Sequence, residues 1–472
     1  MTTLLIRDAL VMAGAGNWQP RRASLLVRAG RIAAVGHVNT ASGPIDHTID
    51  ARNMLALPGF VNAHYHSPAG LLRGTADGLS HPAFMWLNQA DTVGRTEHEI
   101  EVSALLGGIE MLLAGTTAVI DHFPEQGFSL KHVNAVVRAY QRLGLRAAVA
   151  LRVFDSTYDD IIPPDGLPPA LAASNPLAPA PLDETLALVE AAIERHDDPR
   201  GLIRIFPAPS NPSRCSDDLL IRCDALAKRH GTGVHTHLLE TESQTRVAQQ
   251  RYGMTMVTHM ERLGILSSRL SCAHTIWIDQ ADIEMLAARG VTVVHNPESN
   301  LKIGAGFMPL PAMHRAGLRV AIGTDGANTN DNLALHEALR LALIVHRPGE
   351  PDRSHWLKAT DALQIATGNG AAALQATDLG ALTVGQRADI VLYDLSHPHW
   401  TPLNDAAEQL VFAESGASVH TVIVDGRIVV DARRVVGVDT TALLDEARAM
   451  LGVIRQRNHA LHDAVRVVNQ GF

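Results

Sequence analysis

An alternation of short apolar runs with amphipathic stretches fills the middle of this 472-residue chain and most constrains its fold. Each run has the length of a buried strand, and most are followed by helical spacing of apolar residues, as in 100–113 and 219–228. Eight consecutive strand–helix units favour an α/β fold with a closed (β/α)8 barrel over a doubly wound sheet. The predicted strands are 59–63, 116–120, 146–151, 203–206, 233–237, 270–273, 291–294 and 318–322.

Both ends of the chain show a different pattern, in which short strands follow one another with few helices between them. Neither end has enough strands to bury a face alone, so we expect one small β-sandwich domain assembled from both termini. The predicted division is 1–56 and 380–472 for this small domain, with a terminal helix over 441–457, and 57–379 for the barrel. The Pro-rich segment 163–181 is expected to be a loop at the barrel mouth, either a solvated loop or a lid.

The amino-acid composition limits the possible binding partners of the protein and its cellular compartment. The formal net charge is −9, and no block of lysines and arginines could follow a phosphate backbone, which argues against nucleic acid. Glu110 interrupts the longest apolar stretch, so no membrane span is expected. Three cysteines without paired spacing and the lack of a secretory signal predict a reducing, cytoplasmic location. The expected partner is a small-molecule substrate, and a homo-oligomer is left open.

Five residues that bind metals or carry protons stand where predicted barrel strands end. His64 and His66 close the first strand with one residue between them, so both imidazoles point to the same side. His237, His274 and Asp325 stand at the ends of the fifth, sixth and eighth strands. Each of these residues, taken alone, is typical of a structural role. The active sites of such barrels, however, form where the C-terminal ends of the strands converge. Their joint placement therefore predicts a metal-binding or catalytic site.

These residues lie in motifs that resemble the amidohydrolase superfamily, in the subgroup of cytosine, guanine and adenosylhomocysteine deaminases and triazine hydrolases. The resemblance covers nearly the whole chain. It rests on an ordered set of motifs: Leu-Pro-Gly-Phe-Val-Asn-Ala-His-Tyr-His at 57–66, His-Thr-His-Leu-Leu-Glu at 235–240, His274, His-Asn-Pro-Glu-Ser-Asn-Leu-Lys at 295–302, Gly-Thr-Asp-Gly at 323–326, Gly-Gln-Arg-Ala-Asp-Ile-Val at 385–391 and Val-Asp-Gly at 424–426.

The resemblance implies a ligand set and a metal. The implied ligands are His64, His66, His237 and Asp325, whereas His235 is expected to support the ligands rather than bind. Relatives with two metals use a bridging ligand, usually a carboxylated lysine after the fourth strand, and residues 206–212 contain no lysine. One divalent ion is therefore expected, either zinc or iron, since both accept imidazole and carboxylate ligands.

The same resemblance implies a reaction. Glu240 and His274 are expected to contact the bound water and the substrate. A carboxyl at Glu240 can pass the water proton to a ring nitrogen, Asp325 can shuttle the next proton to a departing amine, and His274 can hold the developing oxyanion. This set predicts hydrolytic deamination of a small aminated N-heterocycle such as a purine, pterin, pyrimidine or triazine. The alternatives are loss of another leaving group, such as a substituted amine, halide or thioether, hydrolysis of a ring amide, and, more remotely, a non-catalytic scaffold.

Substrate contacts are the least constrained part of the prediction. Nucleoside-acting relatives carry a Pro-x-Glu segment after a Trp-Leu pair, and residues 86–95 lack that glutamate, so free rings are expected over nucleosides. Four side chains that follow strands are expected either to line the pocket or to be structural: Trp86, His122, Asn211 and Asn300. Trp86 is the expected stacking surface for a planar ring.

Overall fold

The computed structural model describes residues 3–38, 43–124, 128–156 and 179–471. Its centre is a barrel of eight parallel strands within these residues: β6 (Phe60–His66), β7 (Thr116–Phe123), β8 (Arg146–Val153), β9 (Ile203–Pro209), β10 (Val234–Leu238), β11 (Leu270–His274), β12 (Thr292–His295) and β13 (Arg319–Ile322). Strands β6 to β9 pair in order, as do β10 to β13, and β9 contacts β10 while β13 contacts β6. The two-residue strand β14 (Asp325–Gly326) follows β13 and pairs parallel with β6. The predicted barrel is confirmed, with each strand at its expected place.

Barrel strands are buried on both faces because helices cover the outside and side chains fill the inside. All residues of β7 and β8 are buried, which explains their continuous rather than alternating apolar pattern. Small alanines alternate with larger residues in the barrel interior, where Phe206 provides the bulkiest side chain of this cluster.

Helices surround the barrel and begin and end at recognisable signals. Thr96 and Glu99 form a reciprocal capping box at the start of the second helix, and left-handed Gly144 and Gly231 end the third and fifth. The helices of the barrel region are α1 (His81–Thr92), α2 (Glu97–Leu113), α3 (Leu130–Leu143), α4 (Leu182–His196), α5 (Asp217–His230), α6 (Glu242–Tyr252), α7 (Met256–Arg262), α8 (Gln280–Ala288), α9 (Pro297–Lys302), α10 (Leu310–Arg315), α11 (Leu335–Ile344), α12 (Ala359–Gln364) and α13 (Gly370–Ala373).

A mostly antiparallel sheet joins the two ends of the chain. Its strands are β1 (Thr3–Val11), β2 (Arg21–Arg28), β3 (Arg31–Gly36), β4 (His47–Asp50), β5 (Met54–Pro58), β15 (Ile390–Asp394), β16 (Val419–Val424), β17 (Arg427–Asp431) and β18 (Arg434–Val435). Because β5 pairs antiparallel with β15, neither terminus forms this sheet alone, and the predicted small β domain from both termini is confirmed. A buried ion pair, Arg146 to Asp389 at 3.0 Å, connects it to the barrel. The predicted boundaries at 56/57 and 379/380 stay a prediction.

The C-terminal region contains α14 (Ala406–Phe412) and then two consecutive helices, α15 (Thr440–Arg457) and α16 (His459–Gly471). The sequence predicted only the first of these two. Helix α16 packs on α1, burying Val465 and Val468 against Phe84 and Trp86. No helix in the described part of the chain is long and apolar enough to cross a membrane. Residues 163–178 of the predicted mouth loop lie outside the described residues.

Candidate active site

Six predicted site residues converge at the C-terminal end of the barrel. Their imidazole and carboxylate atoms form two groups in which all atoms lie within 4.8 Å of one another: His64, His66, His122 and His237, and His64, His274 and Asp325. The Nε2 atom of His66 lies 3.3 Å from Nε2 of His237 and 3.4 Å from Oδ1 of Asp325. The Nε2 atom of His64 lies 3.6 Å from the same oxygen. Two ring nitrogens from the end of β6 thus face one carboxylate oxygen, and one of them also faces a ring nitrogen from β10.

Backbone carbonyls fix the orientation of two of these rings. The Nδ1 atom of His66 donates to the carbonyl oxygen of His122 at 2.9 Å, and Nδ1 of His237 donates to that of Ser210 at 2.8 Å. A carbonyl only accepts, so each Nδ1 carries a proton, and the neutral form of each ring keeps its lone pair on Nε2. Two such Nε2 atoms 3.3 Å apart can ligate one cation, as imidazoles do in metal sites where a carbonyl holds the Nδ1–H.

His64 completes this arrangement from a fully buried position. Its Nδ1 lies 2.8 Å from Nε2 of His235, whose Nδ1 lies 2.7 Å from the hydroxyl of Ser271. Its own Nε2 has no hydrogen-bond partner among the described residues. Burial, together with the neighbouring His237 and His66 rings, holds the pKa of His64 well below its usual value. The ring is therefore neutral, which is the form that binds a metal ion.

Backbone strain collects at the same strand ends. His274 and Asp325 adopt left-handed backbone angles, with φ of 69° and 61°, and such conformations of non-glycine residues persist only where the surroundings enforce them. The Asp325 carboxylate accepts from its neighbour's amide at 2.7 Å and from the Ser299 hydroxyl at 2.5 Å. A Cβ atom on Gly323 would lie 2.8 Å from Cβ of His64, so glycine is what lets the two strands approach.

Glu240 and His274 stand beside this cluster. Oε1 of Glu240 lies 3.9 Å from Nε2 of His274, which lies 3.8 Å from Oδ2 of Asp325. The other ring nitrogen of His274 bonds to Oδ1 of Asn300 at 2.8 Å, which sets the ring plane. A row of two carboxylates with an imidazole between them borders the cluster, and each group can accept or donate a proton.

These groups open into a pocket with about 480 Å³ of non-atom space, which includes the solvent at its mouth. His66, His237, Glu240, His274 and Asp325 form one side of the pocket. The opposite wall is formed largely by the first loop and α1, with Ala69, Phe84, Met85 and Asn88. Apolar surface facing a polar cluster suits a flat ring whose one edge carries the reacting atoms.

The four expected substrate contacts take different places. Asn211 lines the pocket, whereas Asn300 holds the His274 ring. The fully buried His122 stacks on His66 and belongs to one of the two groups that could hold a metal ion. Trp86, only 8% exposed, packs in the apolar cluster between α1 and α16.

Sequence reasoning missed several pocket residues. Arg152 lines the pocket near the end of β8 and donates to the Ser210 hydroxyl at 2.9 Å. It lies just past the predicted strand 146–151, so the strand-end rule applied one residue further would have found it. Phe84, Met85 and Asn88 carried no such signal, because their direction depends on how α1 is rotated about its axis.

A (β/α)8 barrel whose strand ends hold several imidazoles and one carboxylate around a common point defines a metal-dependent hydrolase. Comparison with known proteins is more specific. The family model described as "Amidohydrolase family" matches residues 55–429, and the chain belongs to that family. It is a hydrolase acting on C–N bonds with one divalent metal ion as cofactor.

Relatives cover almost the whole chain. A 5'-deoxyadenosine deaminase of Methanosarcina acetivorans is 32% identical over 457 residues, covering 95% of this chain and 97% of the relative. A 5-methylthioadenosine/S-adenosylhomocysteine deaminase of Desulforudis audaxviator is 34% identical over 450 residues, covering 94% and 97%.

Two solved structures carry zinc. An adenosine deaminase from Xanthomonas campestris with bound zinc has a TM-score of 0.83 at 30% identity, covering 96% of this chain and 99% of that one. An atrazine chlorohydrolase from Arthrobacter aurescens, complexed with zinc, has a TM-score of 0.86 at 26% identity, covering 95% and 100%. These neighbours support zinc as the ion of the predicted single-metal site.

Proposed function

We propose that this chain is a mononuclear zinc aminohydrolase that removes an exocyclic amine from a small aminated N-heterocycle. The observation that carries the proposal is the row Glu240, His274 and Asp325, with successive separations of 3.9 and 3.8 Å, directly beside converging ring nitrogens. Hydrolytic deamination needs two proton transfers around one activated water, and this row supplies the groups for both.

The proposed ligands are His64, His66, His237 and Asp325. Zinc bound there would lower the pKa of a coordinated water toward neutrality, which supplies a hydroxide at physiological pH. The carbonyl contacts of His66 and His237 keep their Nε2 atoms aimed at the ion. The hydrogen bonds from Ser299 and the Gly326 amide hold the Asp325 carboxylate in one orientation.

Each proton then has a carrier. Glu240 accepts a proton from the attacking water and delivers it to the ring nitrogen, which makes the adjacent carbon more electrophilic. Asp325 accepts the second water proton and passes it to the amine, which leaves as ammonia while the carbon becomes a carbonyl. His274 donates from Nε2 to the oxygen on which negative charge develops. Water and the amino ring are consumed, and ammonia and the oxo ring are formed.

Compact rings are the proposed substrates. Residues 86–95 lack a glutamate for ribose hydroxyls, and the acidic side chain that remains there, Asp91, is fully buried. Its Oδ1 lies 3.3 Å from Nε2 of His462 in α16, so the carboxylate is directed away from the pocket. Phe84 and Met85 offer the apolar surface on which a planar ring can stack.

Two other candidates each have an observation in their favour. The relatives at 32% and 34% identity are named for nucleoside substrates, which favours an adenine nucleoside. The chlorohydrolase with a TM-score of 0.86 favours hydrolysis of another leaving group from the same kind of carbon.

A side-by-side assay separates these candidates. The zinc-loaded protein is offered guanine, 8-oxoguanine, a pterin, aminotriazines, adenosine, methylthioadenosine and adenosylhomocysteine, and released ammonia is measured. We expect kcat/KM on the free rings to exceed that on the nucleosides at least about tenfold, the effect of one unsatisfied polar group. Efficient deamination of a nucleoside with the free bases inert would contradict the substrate class. If the protein releases chloride from a chlorinated triazine and releases no ammonia, the proposed deamination is wrong, and hydrolysis of another leaving group takes its place.

We further propose that the protein acts in the cytoplasm on a small molecule, without a nucleic-acid or membrane partner. Its three cysteines are buried and unpaired, as a reducing compartment favours. Its net charge of −9 disfavours polyanions. A homo-oligomer is compatible with both observations, and sedimentation of the zinc-loaded protein would measure its state.

A further inference from the structure

A second imidazole approaches Glu240 from outside the row described above. His81 begins α1, and its Nε2 atom lies 4.0 Å from Oε1 of Glu240. The same oxygen lies 3.9 Å from His274, so the carboxylate has one imidazole on the metal side and another on the α1 side. The mechanism proposed above makes no use of His81.

The contact with Glu240 determines what His81 presents. A carboxylate only accepts hydrogen bonds, so the ring nitrogen facing it is favoured as the N–H donor. A separation of 4.0 Å is too long for a direct hydrogen bond. The donor is therefore directed at the region of Glu240 without being satisfied by it, and a third atom can lie between them.

His81 also lies against the pocket wall. Its side chain is only 23% exposed, and its ring centroid is 6.4 Å from that of Phe84, which lines the pocket. When a ligand covers such a partly shielded donor, the donor loses its contact with water, and this costs free energy unless the ligand provides an acceptor. The ligand atom that His81 meets is thus expected to be polar.

The position of that atom follows from the role of Glu240. The ring nitrogen that receives the proton has two neighbouring ring carbons, and the one attacked by water faces the metal. The other carbon points away from the metal, toward α1, and its substituent comes within reach of a donor beside Glu240. Resting on the proposed function, we infer that His81 is a specificity-determining residue. Its Nε2–H donates to a carbonyl oxygen on this second carbon.

This assignment predicts a preference between rings that differ only at the second carbon. Isoguanine and adenine lose the same amine from the same carbon, but only isoguanine has an oxo group there. Cytosine and 4-aminopyrimidine form a second such pair. Loss of one hydrogen bond to a shielded donor is expected to cost about tenfold in kcat/KM, so the oxo ring of each pair should be preferred by about that factor.

The test compares His81→Ala and His81→Gln with the wild-type zinc-loaded protein on both pairs. We expect His81→Ala to lose the preference by slowing the oxo ring about tenfold while the other ring changes less than twofold. His81→Gln keeps an amide donor and should retain part of the preference. His98→Ala is the matched control, since His98 is exposed on α2 and bonds to Glu446. Equal losses on both rings, or an unchanged ratio, would overturn the inference.

A binding measurement keeps this test separate from the proposed reaction. Titration calorimetry on the zinc-loaded protein compares xanthine with hypoxanthine, the products from isoguanine and adenine. The wild type should bind xanthine more tightly, and His81→Ala should lose the difference while elemental analysis shows unchanged zinc. If no ring releases ammonia, the proposed function fails, and the binding preference still decides the role of His81. Equal binding of both oxopurines by wild type would refute it.

Discussion

Asn458, between the two C-terminal helices, is predicted to control substrate affinity without touching substrate. Its side-chain amide donates to the carbonyl oxygens of Ala90 and Val93 at 2.9 and 3.0 Å, at the end of α1. Asn458→Ala removes both hydrogen bonds and leaves two shielded acceptors. At about 0.5–1.5 kcal/mol for each bond, we expect the free energy of unfolding to fall by about 1–3 kcal/mol.

The change should also appear in the kinetics, because α1 carries Phe84 and Met85 on the pocket wall while the proposed metal ligands belong to the barrel strands. Urea unfolding measures the stability, steady-state kinetics separate KM from kcat, and elemental analysis counts zinc. We expect a raised KM, a kcat within about threefold of wild type and unchanged zinc. Asn458→Asp is the isosteric variant that cannot donate, and His459→Ala is the exposed neighbour used as control. Unchanged stability and KM, or a loss of zinc, would refute this reasoning.

Three further predictions concern the metal, the proton carrier and pH. Elemental analysis should find about one zinc per chain, and His237→Ala should lose it; two ions per chain would contradict the ligand set. Glu240→Gln should keep the zinc and the fold yet lose about 10²- to 10⁴-fold in kcat, and a near wild-type rate would exclude the proton role. Burial, then the charge of Glu337, raises the pKa of Glu298 to about 8. The carboxyl of Glu298 therefore binds its proton more tightly in the folded protein than in the unfolded chain. Its contribution to the free energy of unfolding is fully present below about pH 4.5 and is lost as the pH rises through about 8. Glu298→Gln should flatten the fall in Tm between pH 5 and 8, and a wild-type pH profile in this variant would contradict that assignment.

The sequence by itself determined the barrel and the residues at its strand ends. The period of its apolar residues distinguishes strands from helices locally, and eight such units leave few topologies. In a parallel barrel all strand C-termini meet at one end, so His64, His237 and Asp325 could be brought together without knowledge of any contact. The sequence could place these residues together because, in a parallel barrel, a residue at the C-terminal end of any strand lies at the same end of the barrel.

Tertiary structure decided which side chains of α1 line the pocket. The sequence favoured Trp86 as the ring-stacking surface, whereas in the structure Phe84 and Met85 line the pocket. All three side chains belong to the apolar cluster that includes Val465 and Val468, but Trp86 is not part of the pocket lining. All these α1 residues are apolar or amphipathic, so local periodicity does not tell which face is inside. The orientation of α1 about its own axis depends on its contact with α16, a helix more than 360 residues later in the chain. Packing the apolar face of α1 against the apolar face of α16 removes both faces from water.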